Sequence, residues 1–173
     1  MWIAIARNGL EQSTLSPMDN WHQTLSDRYG DTPEMRQKML RAGAGVKARA
    51  CTLVLNRIRD GVYKDQGKTT IQWSFRARGR PHCFDALLAA VRHALSTEGL
   101  ATKTGHTPHT TISYWAPTRL GPTQMNPIAW TIDEILLVVG RNDESGSYSY
   151  ETIGRWPLQP APPDLSSTQL PLF

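Results

Sequence analysis

The chain has 173 residues, enough for one well-cored domain or for two small lobes around a shared core. Its 39% apolar and 20% charged content is that of an ordinary globular protein and argues against global disorder. The 19 basic against 15 acidic residues leave a formal charge of +4, which permits an anionic partner without requiring one. No stretch approaches the ~20 apolar residues of a membrane span. The opening Met1-Trp2-Ile3-Ala4-Ile5-Ala6 is too short, and lacks the basic lead, for a secretory signal, so a cytoplasmic location is expected. Cys51 and Cys83 sit in apolar contexts without ligand-like spacing and are expected to be reduced structural thiols.

In chain order, Trp2 to Ala6 reads as a buried strand, and a polar, turn-rich segment follows through Asn20. Trp21 to Leu25 reads as a second strand. Asp31-Thr32-Pro33-Glu34 has the form of a helix entry, with a cap, a first-turn proline and an early acid. The helix runs through Met35, Met39 and Leu40 before Gly43 and Gly45 weaken it. Cys51 to Ile58 and Lys68 to Arg76 are strands, joined by a connection from Asp60 to Gly67. In the second of these, Ile71, Trp73 and Phe75 alternate with polar residues, so one face is buried. Pro81 to Leu95 is an amphipathic helix with Phe84, Leu87, Leu88, Val91 and Leu95 on one side and Gly99 as its stop. His109 to Trp115, Ile132 to Val139 and Ser147 to Trp156 complete the set as strands.

Helices separated by runs of strands favour an α+β fold over a regularly alternating parallel sheet. Within it a short pattern recurs once in each half: His22-Gln23-Thr24-Leu25 and His109-Thr110-Thr111-Ile112. Each places an imidazole and a hydroxyl two residues apart, which on a strand is one face, and the recurrence suggests an approximate internal duplication. Opening a cyclic phosphodiester with water needs a base for the water proton and an acid for the leaving oxygen. With a reference pKa of ~6.5, two histidines can divide those tasks near neutrality. Thr24 and Thr111 would hold the non-bridging oxygens beside a cation.

Arg28, Arg76, Arg78 and Arg80 are the candidate cations, with solvated loop positions the plainer reading of Arg78 and Arg80. Trp115 is a candidate for stacking a base, or a core residue. His82 and His93 read as surface groups. His106-x-x-His109 has no third ligand at a supporting spacing, so neither metal nor other cofactor is expected.

The motifs and their surroundings resemble the two-histidine phosphoesterase superfamily, and within it the bacterial LigT-like RNA 2′,3′-cyclic phosphodiesterases, also called 2′-5′ RNA ligases. The resemblance spans residues 20–158. It rests on Asn20-Trp21-His22-Gln23-Thr24-Leu25 with Gly30-Asp31, the strands at Cys51–Leu55 and Ile71–Phe75, the Phe84–Leu95 helix, and Pro108-His109-Thr110-Thr111-Ile112. The closing segments Ile135–Val138 and Tyr150–Leu158 complete it. It implies a bilobal, pseudo-twofold α+β domain over residues 1–158, with antiparallel sheets lining a central cleft and helices outside. It also implies metal-independent opening of RNA or nucleotide 2′,3′-cyclic phosphates to 2′-phosphates. His109 would activate water, His22 would protonate O3′, and Thr24 and Thr111 would bind phosphate oxygens. Hydrolysis or joining of 2′-5′ linkages, cleavage of cyclic oligonucleotides, and a non-catalytic RNA-binding module are the alternatives. A monomer that binds RNA ends or small cyclic nucleotides, with no membrane attachment, is expected.

Three features depart from the family's pattern. The approach to His22 is short. Gln23 replaces an apolar residue and is expected to face away from the cleft. Tyr114 stands where relatives often carry Arg, which shifts phosphate binding onto Arg28 or Arg76. Beyond Leu158, residues 159–173 read as a flexible tail rich in Pro and Ser. It ends in Gln169-Leu170-Pro171-Leu172-Phe173, which resembles the short peptide bacterial proteins use to dock on the DNA-polymerase sliding clamp, with Gln169, Leu170, Leu172 and Phe173 as the contacts.

Overall fold

The computed structural model describes residues 15–161 apart from 66, 78, 101, 103–105 and 143–147. The expected strand at Trp2 to Ala6 and the clamp-like Gln169–Phe173 segment lie outside these residues. After a 3-10 turn at Met18–Asn20, the elements run α1 (Pro33–Gly45), β1 (Cys51–Asp65), β2 (Lys68–Ala77), α2 (His82–Thr97), β3 (His109–Ser113), β4 (Thr123–Ile132), β5 (Glu134–Asn142) and β6 (Tyr148–Pro157). One antiparallel sheet has the order β3-β2-β1-β4, and β5 and β6 form a second, two-stranded sheet. The expected α+β architecture, with helices outside antiparallel sheets, is what forms.

The helix α1 begins as its sequence dictates. The Thr32 hydroxyl accepts a hydrogen bond from the Met35 N–H at 3.2 Å, and Pro33 occupies the first turn, where its missing N–H costs nothing. The helix does not fade at Gly43 but continues to Gly45. Packing explains the glycine: a Cβ at Gly43 would sit 2.4 Å from the Trp156 ring of β6, so only glycine lets strand and helix approach this closely.

The core lies between α2 and one face of the larger sheet. Phe84, Leu87, Leu88, Val91 and Leu95 of α2 are buried, as their spacing predicts, against Leu53, Leu55, Ile58, Trp73 and Phe75. Gly99, with φ +71°, stops the helix, and the Leu100 N–H closes the end on the Leu95 carbonyl at 2.9 Å. A disulfide joins Cys51, at the start of β1, to Cys83, at the start of α2, with Cα atoms 5.4 Å apart. This corrects the expectation of two reduced thiols. The cysteines are far apart in sequence, and only packing α2 across the sheet brings them together.

Strand β1 is longer than its apolar run suggests, because it continues through Gly61 to a tight turn at Gly67, whose φ of +78° is left-handed. Its phase changes on the way. Cys51, Leu53 and Leu55 face the core, but after the register shift between Leu55 and Arg57 it is Ile58 that points inward. Strand β4 has no clear signature in the sequence because it carries Pro127. It lies at the sheet edge, and its pairing with β1 skips from Gln124 to Ile128, so no ladder bond is asked of the proline.

Candidate active site

The second motif lies where strand geometry predicts. His109 and Thr111 open β3, half-buried, while Thr110 and Ile112 point into the interior. His109 pairs across the sheet with Arg76, and Thr111 with Ser74, so these four side chains share the face opposite the core. The Arg76 guanidinium is steadied there by donating from Nε to the Ser74 hydroxyl at 2.9 Å.

The first motif is placed differently, and the expected strand at Trp21 to Leu25 does not form. Residues 15–25 instead lie against the free edge of β3. The Ser16 N–H donates to the Ile112 carbonyl at 2.8 Å, and further along a side chain takes the place of a backbone partner. The Gln23 side-chain oxygen accepts from the His109 N–H at 2.7 Å, while its nitrogen donates to the Thr24 carbonyl at 2.8 Å. Gln23 therefore faces the second motif rather than away from the site, which corrects the sequence expectation. With a side chain in the ladder position, no strand can propagate. Trp21 and Leu25 pack against the core, and Trp21 meets Phe75 edge-on at 5.9 Å between ring centroids.

Despite these different settings, both imidazoles are held in the same way. Nδ1 of His22 lies 2.7 Å from the Asn20 carbonyl oxygen, and Nδ1 of His109 lies 2.7 Å from that of Thr107. A carbonyl can only accept, so each Nδ1 carries the proton and Nε2 is the nitrogen left for proton exchange. Burial pushes the pKa of His109 down, and the nearby Arg76, His106 and His22 add to this against the opposing Thr107 bond. The folded protein thus favours neutral His109, the state of a base.

His22 meets the ring of Tyr150 edge-on at 5.0 Å, and Tyr150 meets Tyr148 at 5.2 Å. Burial, with Tyr148 and Tyr114, pushes the Tyr150 phenol up to about 12 against the opposing pull of Arg28, so it remains a neutral hydrogen-bond donor. His22, Thr24 and Arg28 line a cavity of about 710 Å³ together with Tyr114, Tyr148 and Tyr150. His109 and Thr111 are not part of its walls, and the Gln23 side chain bridges from the first motif to the second.

The remaining candidates divide. Arg76 stands beside His109, Arg28 is exposed on the cavity wall, and Trp115 is 69% exposed at the end of β3. Arg80 is ion-paired with Asp85, and Arg78 lies outside the described residues. His82 and His93 are exposed on α2. Among the described residues no three His, Cys, Asp or Glu side chains cluster as a metal site. Nor is any of the helices among them long and apolar enough to cross a membrane. Sequence reasoning missed Tyr148 and Tyr150, which read only as strand residues.

No family model matches the sequence, and no curated protein is matched by it. The likeness lies in the fold. A protein of Thermus thermophilus, TT0787, superposes with a TM-score of 0.64 at 16% identity, covering 92% of this chain and 91% of that one. A structure described as a phosphoesterase gives 0.62 at 20% identity, covering 90% of each. Escherichia coli LigT without ligand gives 0.61 at 20% identity, covering 91% and 88%. The chain thus has the fold of Escherichia coli LigT.

Proposed function

We propose that the protein is a metal-independent phosphodiesterase that opens 2′,3′-cyclic phosphates, on RNA ends or small nucleotides, to 2′-phosphates. The observation that carries this reading is the matched anchoring of His22 and His109, each with Nδ1–H tied to a carbonyl two residues earlier and Nε2 released. His109 is the base. Its Nε2 takes a proton from water as the water oxygen bonds to phosphorus. The P–O3′ bond breaks, and His22, entering the step as imidazolium, gives its Nε2 proton to O3′. Proton exchange with solvent then restores both rings. Arg76 and the Thr24 and Thr111 hydroxyls stabilise the charge that gathers on the non-bridging oxygens. Escherichia coli LigT forms complexes with 3′-AMP, NADP+ and ATP, and ligands of that kind, a phosphate next to a nucleoside, suit this arrangement.

The test is turnover of a 2′,3′-cyclic mononucleotide and of an RNA with the same end, with EDTA present. The expected product is the 2′-phosphate, abolished in His22→Ala and His109→Ala. A 3′-phosphate product would assign the leaving group wrongly, and binding without turnover on either substrate would favour an RNA-binding module.

A further inference from the structure

The face that carries His109 and Thr111 does not end at β3. Across β2 and β1 the register continues it through Arg76, opposite both His109 and Arg57, and through Ser74, opposite both Thr111 and Arg59. Four pairs further along β1, Tyr63 stands opposite Thr70 on the same face. The phase change between Leu55 and Arg57 is what turns the two β1 arginines to this side, since uninterrupted alternation from Leu53 and Leu55 would direct them into the core.

These three arginines have no anionic partner among the described residues. Arg76 bonds to the Ser74 hydroxyl, and Arg57 donates to the Ala77 carbonyl at 3.2 Å while its Nε is buried without a partner. The residue across from Arg57 on β4 is the neutral Gln124. Elsewhere the guanidiniums of Arg36, Arg41, Arg119, Arg141 and Arg155 are each met by a carboxylate. Like charges gathered without counter-charge are costly, and burial together with Arg59 and Arg57 lowers the pKa of Arg76. An anionic ligand relieves that repulsion. Tyr63, 40% exposed, adds an aromatic surface about 20 Å along the strand from Arg57.

We propose that Arg76, Arg57, Arg59 and Tyr63 form a track for single-stranded RNA, holding the phosphates and one base upstream of the end that lies between the histidines. Guanidiniums spaced along a strand with an exposed ring match a repeating phosphate and base, whereas a mononucleotide engages only the histidine end. The direction of the strand, with its 3′ end at His109, rests on the phosphodiesterase reading above; the track itself does not.

The experiment measures equilibrium binding of a labelled single-stranded RNA with a 3′-phosphate, which the proposed reaction does not consume, and of a nucleoside 3′-monophosphate, across a salt series. The RNA is expected to bind at least about tenfold more tightly than the mononucleotide. Arg59→Gln should weaken the RNA about three- to tenfold and flatten the slope of log affinity against log salt by about 0.7. Tyr63→Ala should weaken it about tenfold with the slope retained, because stacking releases no counterion. Arg41→Gln, a helix residue paired with Glu98, should change neither. Equal affinity for RNA and mononucleotide, or an Arg59→Gln variant with wild-type affinity and slope, would overturn the track. Tight RNA binding with no turnover of cyclic phosphate would instead remove the phosphodiesterase reading and leave the track standing.

Discussion

The two histidine motifs are held in unlike surroundings. His109 sits in a strand whose neighbour β2 is central to a four-stranded sheet, and that half of the molecule is stapled by Cys51–Cys83. His22 sits in an extended segment with no strand of its own, held to the edge of β3 by Ser16, Gln23 and the packing of Trp21. Yet each ring donates Nδ1–H to the carbonyl two residues before it. What the proposed chemistry needs is the short local bond that selects the tautomer, and this forms in a strand or out of one. The surroundings then differentiate the pair: sheet burial and neighbouring charge lower the pKa of His109, while His22 rests against Tyr150.

The sharpest way to break this comparison is to remove either ring. If the two are equal partners, His109→Ala and His22→Ala should each lower kcat by about 10²–10⁴-fold on a 2′,3′-cyclic nucleotide, and an almost fully active His22→Ala would show that the loop-borne motif is dispensable. Next comes the staple. Replacing Cys51 and Cys83 by Ser, or reducing them, should lower stability by about 2–4 kcal/mol, read as a fall in Tm that appears only against an oxidised wild type. If reductant leaves the wild-type Tm unchanged, the second half owes its order to packing alone.

A smaller effect is expected where the halves join. Gln23→Leu leaves the His109 N–H without its acceptor and should cost about 1–3 kcal/mol. Its kcat should fall while KM changes little, and Gln23→Glu, which keeps an oxygen acceptor, should recover part of the loss. A Gln23→Leu enzyme with wild-type kcat would mean that the motifs hold their spacing without this bond. The smallest effect concerns protonation. Because the folded protein lowers the pKa of His109, the acid limb of kcat/KM should lie below pH 6.5, and Arg76→Gln should move it upward. The same shift sets a sign for stability. Below pH 6.5 the unfolded chain takes up the His109 proton first, so this residue's contribution is complete above that pH and falls as the pH drops through the window toward the folded value.

Much of the fold is legible locally. The Thr32-Pro33 entry, the apolar spacing of α2 and the alternation of Ile71, Trp73 and Phe75 each act through neighbours a few residues away. Strand β4 was hidden because Pro127 breaks the usual signature, and an edge position tolerates what a central strand would not. Of the candidate site, His22, His109, Thr24, Thr111, Arg28 and Arg76 could be proposed from their motifs and charges. Arg57 and Arg59 could not, although a clue was present: the interval from Leu55 to Ile58 is odd, and an odd interval between core positions marks a bulge. Tyr148 and Tyr150 gave no sign, because their strand reaches His22 only through the folding of the β5–β6 hairpin beside the first motif.

By itself the sequence determined the elements whose causes are short-range: helix caps, strand alternation, and the imidazole and hydroxyl placed two residues apart. Only the tertiary structure decided which side of the sheet the β1 arginines face, that Gln23 links the motifs, and that Cys51 meets Cys83. Those outcomes depend on register and on contacts between residues distant in the chain, which local propensity does not encode.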